Sequence, residues 1–493
     1  MFNKFRRFER LVLAAAVCAM AWTGVASCAY LMDARPSVDW FTKGVIYQVQ
    51  PRAFSQEGTL KAIEAKLGYL KDLGVTIVYL VPVMQMDEDM DRAFWSPRQI
   101  KSGFNNPKNQ YRLKDYYHVD SEYGTDEDLK SLVAAAHKMG MKVILDLVYF
   151  HAGPTANVWK EHPEFTFWNE DGTIAKGAWR FPRFNFNVKG TREWLWDNMV
   201  GLIREYDVDG YRCDVGDGVP LGFWCEGIRR MKEVKADSIL LCEGYDEKDQ
   251  EDAFDADYGW FPCEGVLTGS GSADSIRGAW NGREQRSTKG ARFVNHYENH
   301  DIATDRRPRR EKAWGSAAVE QVLVWMFTID GVPMLFTGNE MADADEKHSM
   351  FGKTPMDWSQ LERGVGKARH EFVKGLAAMR RGHAAFTDLN GRAGLAWLDV
   401  TATNSVTAFV RTAKDGERIL VVQNWTNKDV ATDVSFQAPP DVWPDWVIAE
   451  KVDRSIKGTL AEKPLLARAA KKTGAQSFEL GPYGFAIYPV NKK

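Results

Sequence analysis

"TDEDLKSLVAAAHKMGMKVILDLVYFH", residues 125 to 151, reads as one complete passage from helix to strand. Thr125 and Asp128 have the spacing of an N-capping pair, and Leu129, Leu132, Val133 and Ala136 recur on one helical face. Gly140 ends that helix, and an apolar run rich in β-branched and aromatic residues follows. An amphipathic helix feeding a fully apolar strand is the repeating unit of a parallel sheet, whose strands are covered on both faces.

Working outward, the unit recurs. Ile63, Leu67, Leu70 and Leu73 keep helical spacing, Gly74 stops them, and "VTIVYLVPV" (75 to 83) follows. Similar strands are read at "GVIYQVQ" (44 to 50), "VDGYRCD" (208 to 214), "SILLCEG" (238 to 244), "ARFVNHY" (291 to 297) and "GVPMLFTG" (331 to 338), with a weaker one at "AFDADY" (253 to 258). Eight passages predict an α/β chain built on a closed (β/α)8 TIM barrel, with its site at the carboxyl ends of the strands. Beyond about residue 390, "AWLDV", "SVTAFVRT", "RILVVQNW" and "GFAIYPV" alternate or run apolar between turn residues, which predicts a separate antiparallel β-sandwich. The expected plan is a targeting segment over 1–27, a linker over 28–40, a catalytic barrel over 41–390 with a short excursion at 152–186, and the β-module over 391–493. "NWT" at 424 to 426 fits a glycosylation sequon but reads as a strand end.

The targeting segment has Lys4, Arg6, Arg7 and Arg10 ahead of an apolar run, Leu11 to Met20, that is shorter than a bilayer span. It ends in Val25-Ala26-Ser27-Cys28, which resembles the bacterial lipobox and makes Cys28 a candidate for lipidation and membrane anchoring. The expected location is therefore the cell envelope, with simple secretion or a periplasmic site as the alternative. The whole chain carries a formal charge of −3, and removing residues 1–27 makes it more acidic, which argues against nucleic acid as partner. Cys213, Cys225, Cys242 and Cys263 fit no zinc spacing. The 18 Trp, 16 Tyr and 26 Phe exceed what a core alone demands, and flat rings suit the apolar faces of sugars.

Polar residues gather at the strand ends: Asp146 and His151 after the third, Arg212 and Asp214 at the fourth, Glu243 at the fifth, and Asn299, His300 and Asp301 after the seventh. Two nearby carboxyl groups, one ionised and one protonated, are what a retaining glycosidase uses as nucleophile and acid/base. Arg212 beside Asp214 is expected to hold it as carboxylate and depress its pKa, whereas Glu243, leaving an apolar strand, is expected to be raised. Cys213 and Cys242 alternate to the other face as packing residues.

"DLVYFH", "DGYRCD", "CEGYD" and "ENHD", in this order, resemble the four signature regions of the α-amylase family, glycoside hydrolase family 13. "RFNFNVKGTREWL" (183 to 195) is similar to the family's fifth region. The resemblance implies Asp214 as nucleophile, Glu243 as general acid/base and Asp301 as the third carboxylate. It also implies that Arg212 orients Asp214, that His151 and His300 bind sugar hydroxyls, and that Tyr111 stacks beneath the sugar; Asp146 joins the expected substrate-binding set. Asn299, His300 and Asp301 are expected to face substrate, with Asn295 and His296 supporting them.

Three positions depart from the family. Phe150, Arg183 and Gly218 stand where residues around its usual calcium stand, and neither a phenyl ring nor a guanidinium ligates a hard cation, so no cofactor and no calcium at that place is expected. Gly218 with Asp217 also replaces a Lys-His pair on the leaving-group side. Trp159, Phe165, Trp168 and Trp179 are read as packing or sugar-platform residues of the excursion, and "DRRPRR" (305 to 310) as a solvated loop. The expected partner is an α-glucan or maltooligosaccharide, hydrolysed at α-1,4 and in the wider reading α-1,6 bonds; the alternatives are a transglycosylase and a catalytically silent, membrane-tethered sugar-binding protein.

Overall fold

The structure is a computed structural model that describes residues 33–491 apart from 245–247, 261, 306–307, 389–393, 438–455 and 457. The targeting segment and Cys28 lie outside the described residues. No helix among the described residues is long and apolar enough to cross a membrane.

Eight parallel strands close on themselves: β1 Ile46–Val49, β2 Ile77–Leu80, β3 Lys142–Leu147, β4 Gly210–Cys213, β5 Ile239–Cys242, β6 Ala256–Tyr258, β7 Phe293–Asn295 and β8 Val332–Phe336. Ile46 pairs with Ile77 on one side and Met334 on the other, which closes the ring. Alternate residues face inward, so Ile46, Ile77, Tyr79, Ile144, Leu241, Tyr258 and Val332 fill the barrel as one apolar cluster. Their neighbours, among them Tyr47, Val78, Leu80, Val143, Cys213 and Cys242, pack outward into a second cluster with the helices. The two cysteines are therefore packing residues, as their alternation predicts.

The opening passage forms as expected. Thr125 Oγ1 accepts from the Asp128 amide while the Asp128 carboxylate accepts from the Thr125 amide, and the helix runs Asp126–Lys138. The upstream helix is two pieces, Leu60–Glu64 and Leu67–Leu73, because the chain leaves helical geometry at Lys66. Gly74 ends it with φ +101, and a Cβ there would lie 2.6 Å from that of Ala377, so turn and packing both require glycine.

The C-terminal module comprises β9 Leu395–Leu398, β10 Val406–Thr412, β11 Arg418–Asn424, β12 Val430–Asp433, β13 Thr459–Leu460, β14 Leu466–Lys472 and β15 Ser477–Asn491. All pairings are antiparallel. The long β15 joins β12 with its first half and β11 with its second, so the expected sandwich is one sheet in hydrogen-bonding terms. One face, with Trp397, Phe409, Val421 and Phe485, joins the barrel's outer core, and the other packs within the module around Leu398, Val410 and Leu420. Asn424 ends β11 with its amide donating to the carbonyls of Lys428 (2.7 Å) and Gly481 (2.8 Å), the strand-end role read for the sequon.

Candidate active site

The carboxyl ends of the strands surround a cavity of about 140 Å³ whose walls include Tyr111, His151, Trp179, Asp214, Glu243, His300 and Asp301. Five of them, His151, Asp214, Glu243, His300 and Asp301, meet because each lies at or just beyond a barrel strand and all eight strands run the same way, while Tyr111 and Trp179 reach the cavity from the longer loops after β2 and β3.

Arg212 organises the floor. Fully buried on β4, it lies with Nη1 at 2.8 and 2.9 Å from the two oxygens of Asp146 and 3.0 Å from Oδ1 of Asp214. Its Nη2 is 2.6 Å from Oε2 of Glu243, which also accepts from the Val215 amide at 2.9 Å. Val215 has φ 48, a strained conformation for a β-branched residue that turns its N–H toward Glu243. The other oxygen of Asp214, Oδ2, is buried and accepts no hydrogen bond from any described residue.

One buried guanidinium shared among three carboxyls sets the proton balance. Burial raises the carboxyl of Asp214 well above the ordinary range; Arg212 opposes this, while Glu243 and Asp146 add to it. Arg212 thus pulls Asp214 down as expected, but burial outweighs that pull and the net shift is upward, against the expected depression. Glu243 is raised by burial against the pull of Arg212, as expected. Asp301 goes the other way: burial raises it, but His300, Arg98 and Arg212 bring it down to about 2. The cluster therefore keeps its proton on the Asp214–Glu243 pair and its fixed charge on Asp301.

Tyr111 and His300 stack at 5.1 Å with 13° between rings. Gln48 Oε1 accepts from the His300 amide, which orients its Nε2 toward His300 Nδ1 at 2.9 Å. The ring proton is thereby assigned to Nε2, 2.6 Å from the Tyr111 hydroxyl, which in turn donates to Asp146 at 2.8 Å. His151 lies with Nε2 2.8 Å from the Tyr111 carbonyl, leaving a buried Nδ1 without a described partner. Burial lowers both histidines, to about 3 for His300 and about 4 for His151, so both are neutral at neutral pH.

Two expected substrate-binding residues lie beneath the cavity. Asp146 spends its oxygens on Arg212, Tyr79 and Tyr111, and Arg212 is completely covered; both are positioning residues rather than surfaces for sugar. Asn299 likewise turns away, its Oδ1 accepting from the Ile302 amide to cap the following helix, so only His300 and Asp301 of that trio reach the cavity. Asn295 and His296 are buried supports, Asn295 donating to the Asp330 carbonyl. Of the four excursion aromatics singled out by sequence, Trp159 and Phe165 are core, Trp168 is exposed away from the cavity, and Trp179 lines it. Successive positive φ values at Trp179 (53) and Arg180 (72) produce that aim. The solvated-loop reading of residues 305 to 310 fails at Arg309 and Arg310, which are buried and paired with Glu298 and Glu264.

Sequence reasoning missed Arg98, Phe181, Met350 and Phe351, all at the cavity. Arg98 pairs with Asp301 across 203 positions of chain, and no local spacing signals that.

The α-amylase catalytic domain's sequence model matches residues 43–200, and the barrel carrying that match closes around the carboxylate cluster. Over that stretch the chain is similar to the α-amylase family. The α-amylase MalA of Haloarcula japonica is 27% identical over 78% of the chain, which spans only 55% of that protein. The cyclomaltodextrinase of Geobacillus thermopakistaniensis is 26% identical over 93% of the chain and 79% of its own length. Among solved structures, an α-amylase from Lactobacillus plantarum superposes with a TM-score of 0.73 at 20% identity, covering 92% of this chain and all of that one, a likeness of fold.

The residues at the α-amylase family's usual calcium position do not fit that ion. Phe150 packs edge-on against Trp179, the Arg183 guanidinium lies over the Phe167 ring at 4.8 Å, and a Cβ on Gly218 would come within 3.1 Å of Phe150. Rings and a guanidinium occupy the place where a hard cation needs oxygen ligands.

Proposed function

We propose that this chain hydrolyses α-glucosidic bonds, α-1,4 and in the wider reading α-1,6, in starch-like α-glucans or maltooligosaccharides with retention of configuration. The observation that carries the reading is the asymmetry of Asp214: Arg212 holds Oδ1, and no described residue donates to Oδ2. Oδ2 attacks the anomeric carbon while protonated Glu243 delivers its proton to the departing glycosidic oxygen, giving a glycosyl ester. Glu243, now ionised, takes a proton from the water that attacks the same carbon, which breaks the ester and restores both carboxyls. Anionic Asp301 and the neutral His151 and His300 accept and donate hydrogen bonds to the hydroxyls of the attacked sugar, and the Tyr111 ring lies beneath it.

The test is release of reducing sugar from soluble starch, maltooligosaccharides, pullulan, dextran and trehalose, with wild type beside Asp214→Asn. Turnover of an α-glucan, lost by orders of magnitude in the variant, supports the reading and names the bond; binding without turnover would move it to a silent sugar-binding protein. Products longer than the substrate would make the enzyme a transglycosylase.

We further propose that the chain is exported and anchored through a lipid on Cys28, on the strength of the Val25–Cys28 motif, and that calcium is not held beside Phe150. Labelling with a palmitate analogue should vanish in Cys28→Ala, and unchanged labelling would remove the anchor. Anomalous scattering that found a calcium at Phe150, Arg183 and Gly218 would remove the second claim.

A further inference from the structure

We propose that Arg98 and the wall behind it close the donor end of the site, so that the enzyme removes single residues from the non-reducing end of a glucan. The proposal rests on the hydrolase reading above and deepens it. Arg98 lies on a short helix, Pro97–Lys101, in the segment that follows β2, and its Nη1 pairs with Oδ1 of Asp301. The segment that follows β8 meets it there: Met350 and Phe351 are buried and line the cavity.

The two segments are stitched together rather than merely adjacent. Asn106 Nδ2 donates to the Phe351 carbonyl at 3.1 Å. Arg52, fully buried, donates through Nη1 to the carbonyls of Met350 and Lys108. The Phe104 ring lies so close to Gly352 that a Cβ on that glycine would be 2.1 Å from it. A wall with buried hydrogen bonds and no gap for a methyl group does not part easily for a sugar ring.

The direction of closure follows from the chemistry. Glu243 protonates the oxygen of the leaving group, so the departing chain must lie on the Glu243 side of the attacked ring. Glu243 is held by Arg212 and the Val215 amide, and its carbonyl accepts at 2.9 Å from the amide of Gly216, which with Gly218 and Leu221 lines a second hollow of about 290 Å³. Arg98 pairs instead with Asp301, and Met350 and Phe351 line the same cavity, so this wall stands where a further sugar on the donor side would continue. The cavity of about 140 Å³ is well below the ~300 Å³ at the small end of ligand pockets, which suits one hexose ring and not a run of them. Arg98 would then face the hydroxyl that is free only on the terminal residue of a chain, and donate to it.

Maltoheptaose labelled at its reducing end tests this at early times. Wild type should yield unlabelled glucose and labelled maltohexaose first, and should not cut maltoheptaose whose non-reducing end is blocked by a benzylidene group. Labelled fragments of all lengths from the outset, or cleavage of the blocked chain, would overturn the inference while leaving the hydrolase reading in place; cleavage of no α-glucan at all would overturn both. In Arg98→Ala the ratio of terminal to interior cuts should fall about tenfold, the loss of one charged hydrogen bond. A purely structural Arg98 would lower the rate without moving the cut, and an unmoved cut would overturn its role; the wild-type measurements stand even where that variant does not fold.

Discussion

Nη1 of Arg212 lies 3.0 Å from Oδ1 of Asp214, and that contact leaves Oδ2 as the oxygen that the proposed mechanism uses for attack. The same guanidinium reaches Asp146 and Glu243, so its flat fork is the geometric centre of the site. Arg212→Lys keeps the charge but cannot span three carboxyls. The expected result is a fall in kcat of roughly 10²–10³-fold with little change in KM, read by steady-state kinetics on whichever glucan the panel identifies.

In the proposed mechanism Glu243 acts in its protonated form, and burial raises it, so the basic limb of the kcat/KM profile should lie above the ordinary glutamate range. Asp214 must be ionised and is raised as well, which moves the acid limb the same way. Glu243→Gln should lose the basic limb and roughly 10²–10⁴-fold in rate on a natural glucan. On a nitrophenyl glycoside, whose leaving group departs without a proton, the loss in the first step should be much smaller. Equal losses on both substrates would remove Glu243 as the acid.

Glu340 is fully buried and accepts from the hydroxyls of Tyr47 (2.9 Å) and Tyr69 (3.1 Å), and burial raises it from 4.5 to about 7. A carboxyl raised on folding contributes stability that is fully present below its unfolded value and is lost as pH climbs through the folded one. Wild type should therefore lose on the order of 3 kcal/mol between pH 4.5 and 7 from this group. Glu340→Gln, neutral throughout, should flatten that part of the Tm-against-pH curve; an unchanged slope would assign the loss elsewhere.

Arg309 makes bonds of 2.8 to 3.0 Å with Glu298, with no solvent access to its own side chain. Arg309→Met should cost about 3–5 kcal/mol, because it strands a buried carboxylate. Adding Glu298→Gln should recover part of that loss in chemical denaturation, since the uncompensated charge is then gone. A single-variant effect under about 0.5 kcal/mol would restore the surface-loop reading.

The barrel was legible because its evidence is local. A helical face from Leu129 to Ala136, a capping pair at Thr125, a stop at Gly140 and an apolar strand need only neighbours in the chain to be recognised, and the outward alternation of Cys213 and Cys242 follows from the strand period. The breaks in the pattern were less visible: Lys66 splits a helix whose apolar spacing runs through it, and β12 to β14 are short or barely buried, so they offer few apolar residues to read.

What the sequence determined by itself is which residues arrive at the strand ends, since eight parallel strands must deliver Asp214, Glu243 and Asp301 to one mouth. What the tertiary structure decided is how charge and space are shared there. Burial raises Asp214 against the pull of an arginine shared among three carboxyls, Asp146 sinks beneath the cavity, and Arg98 crosses from another loop to Asp301. Coulomb energy and packing depend on distance through space and on burial, and neither quantity is written along the chain.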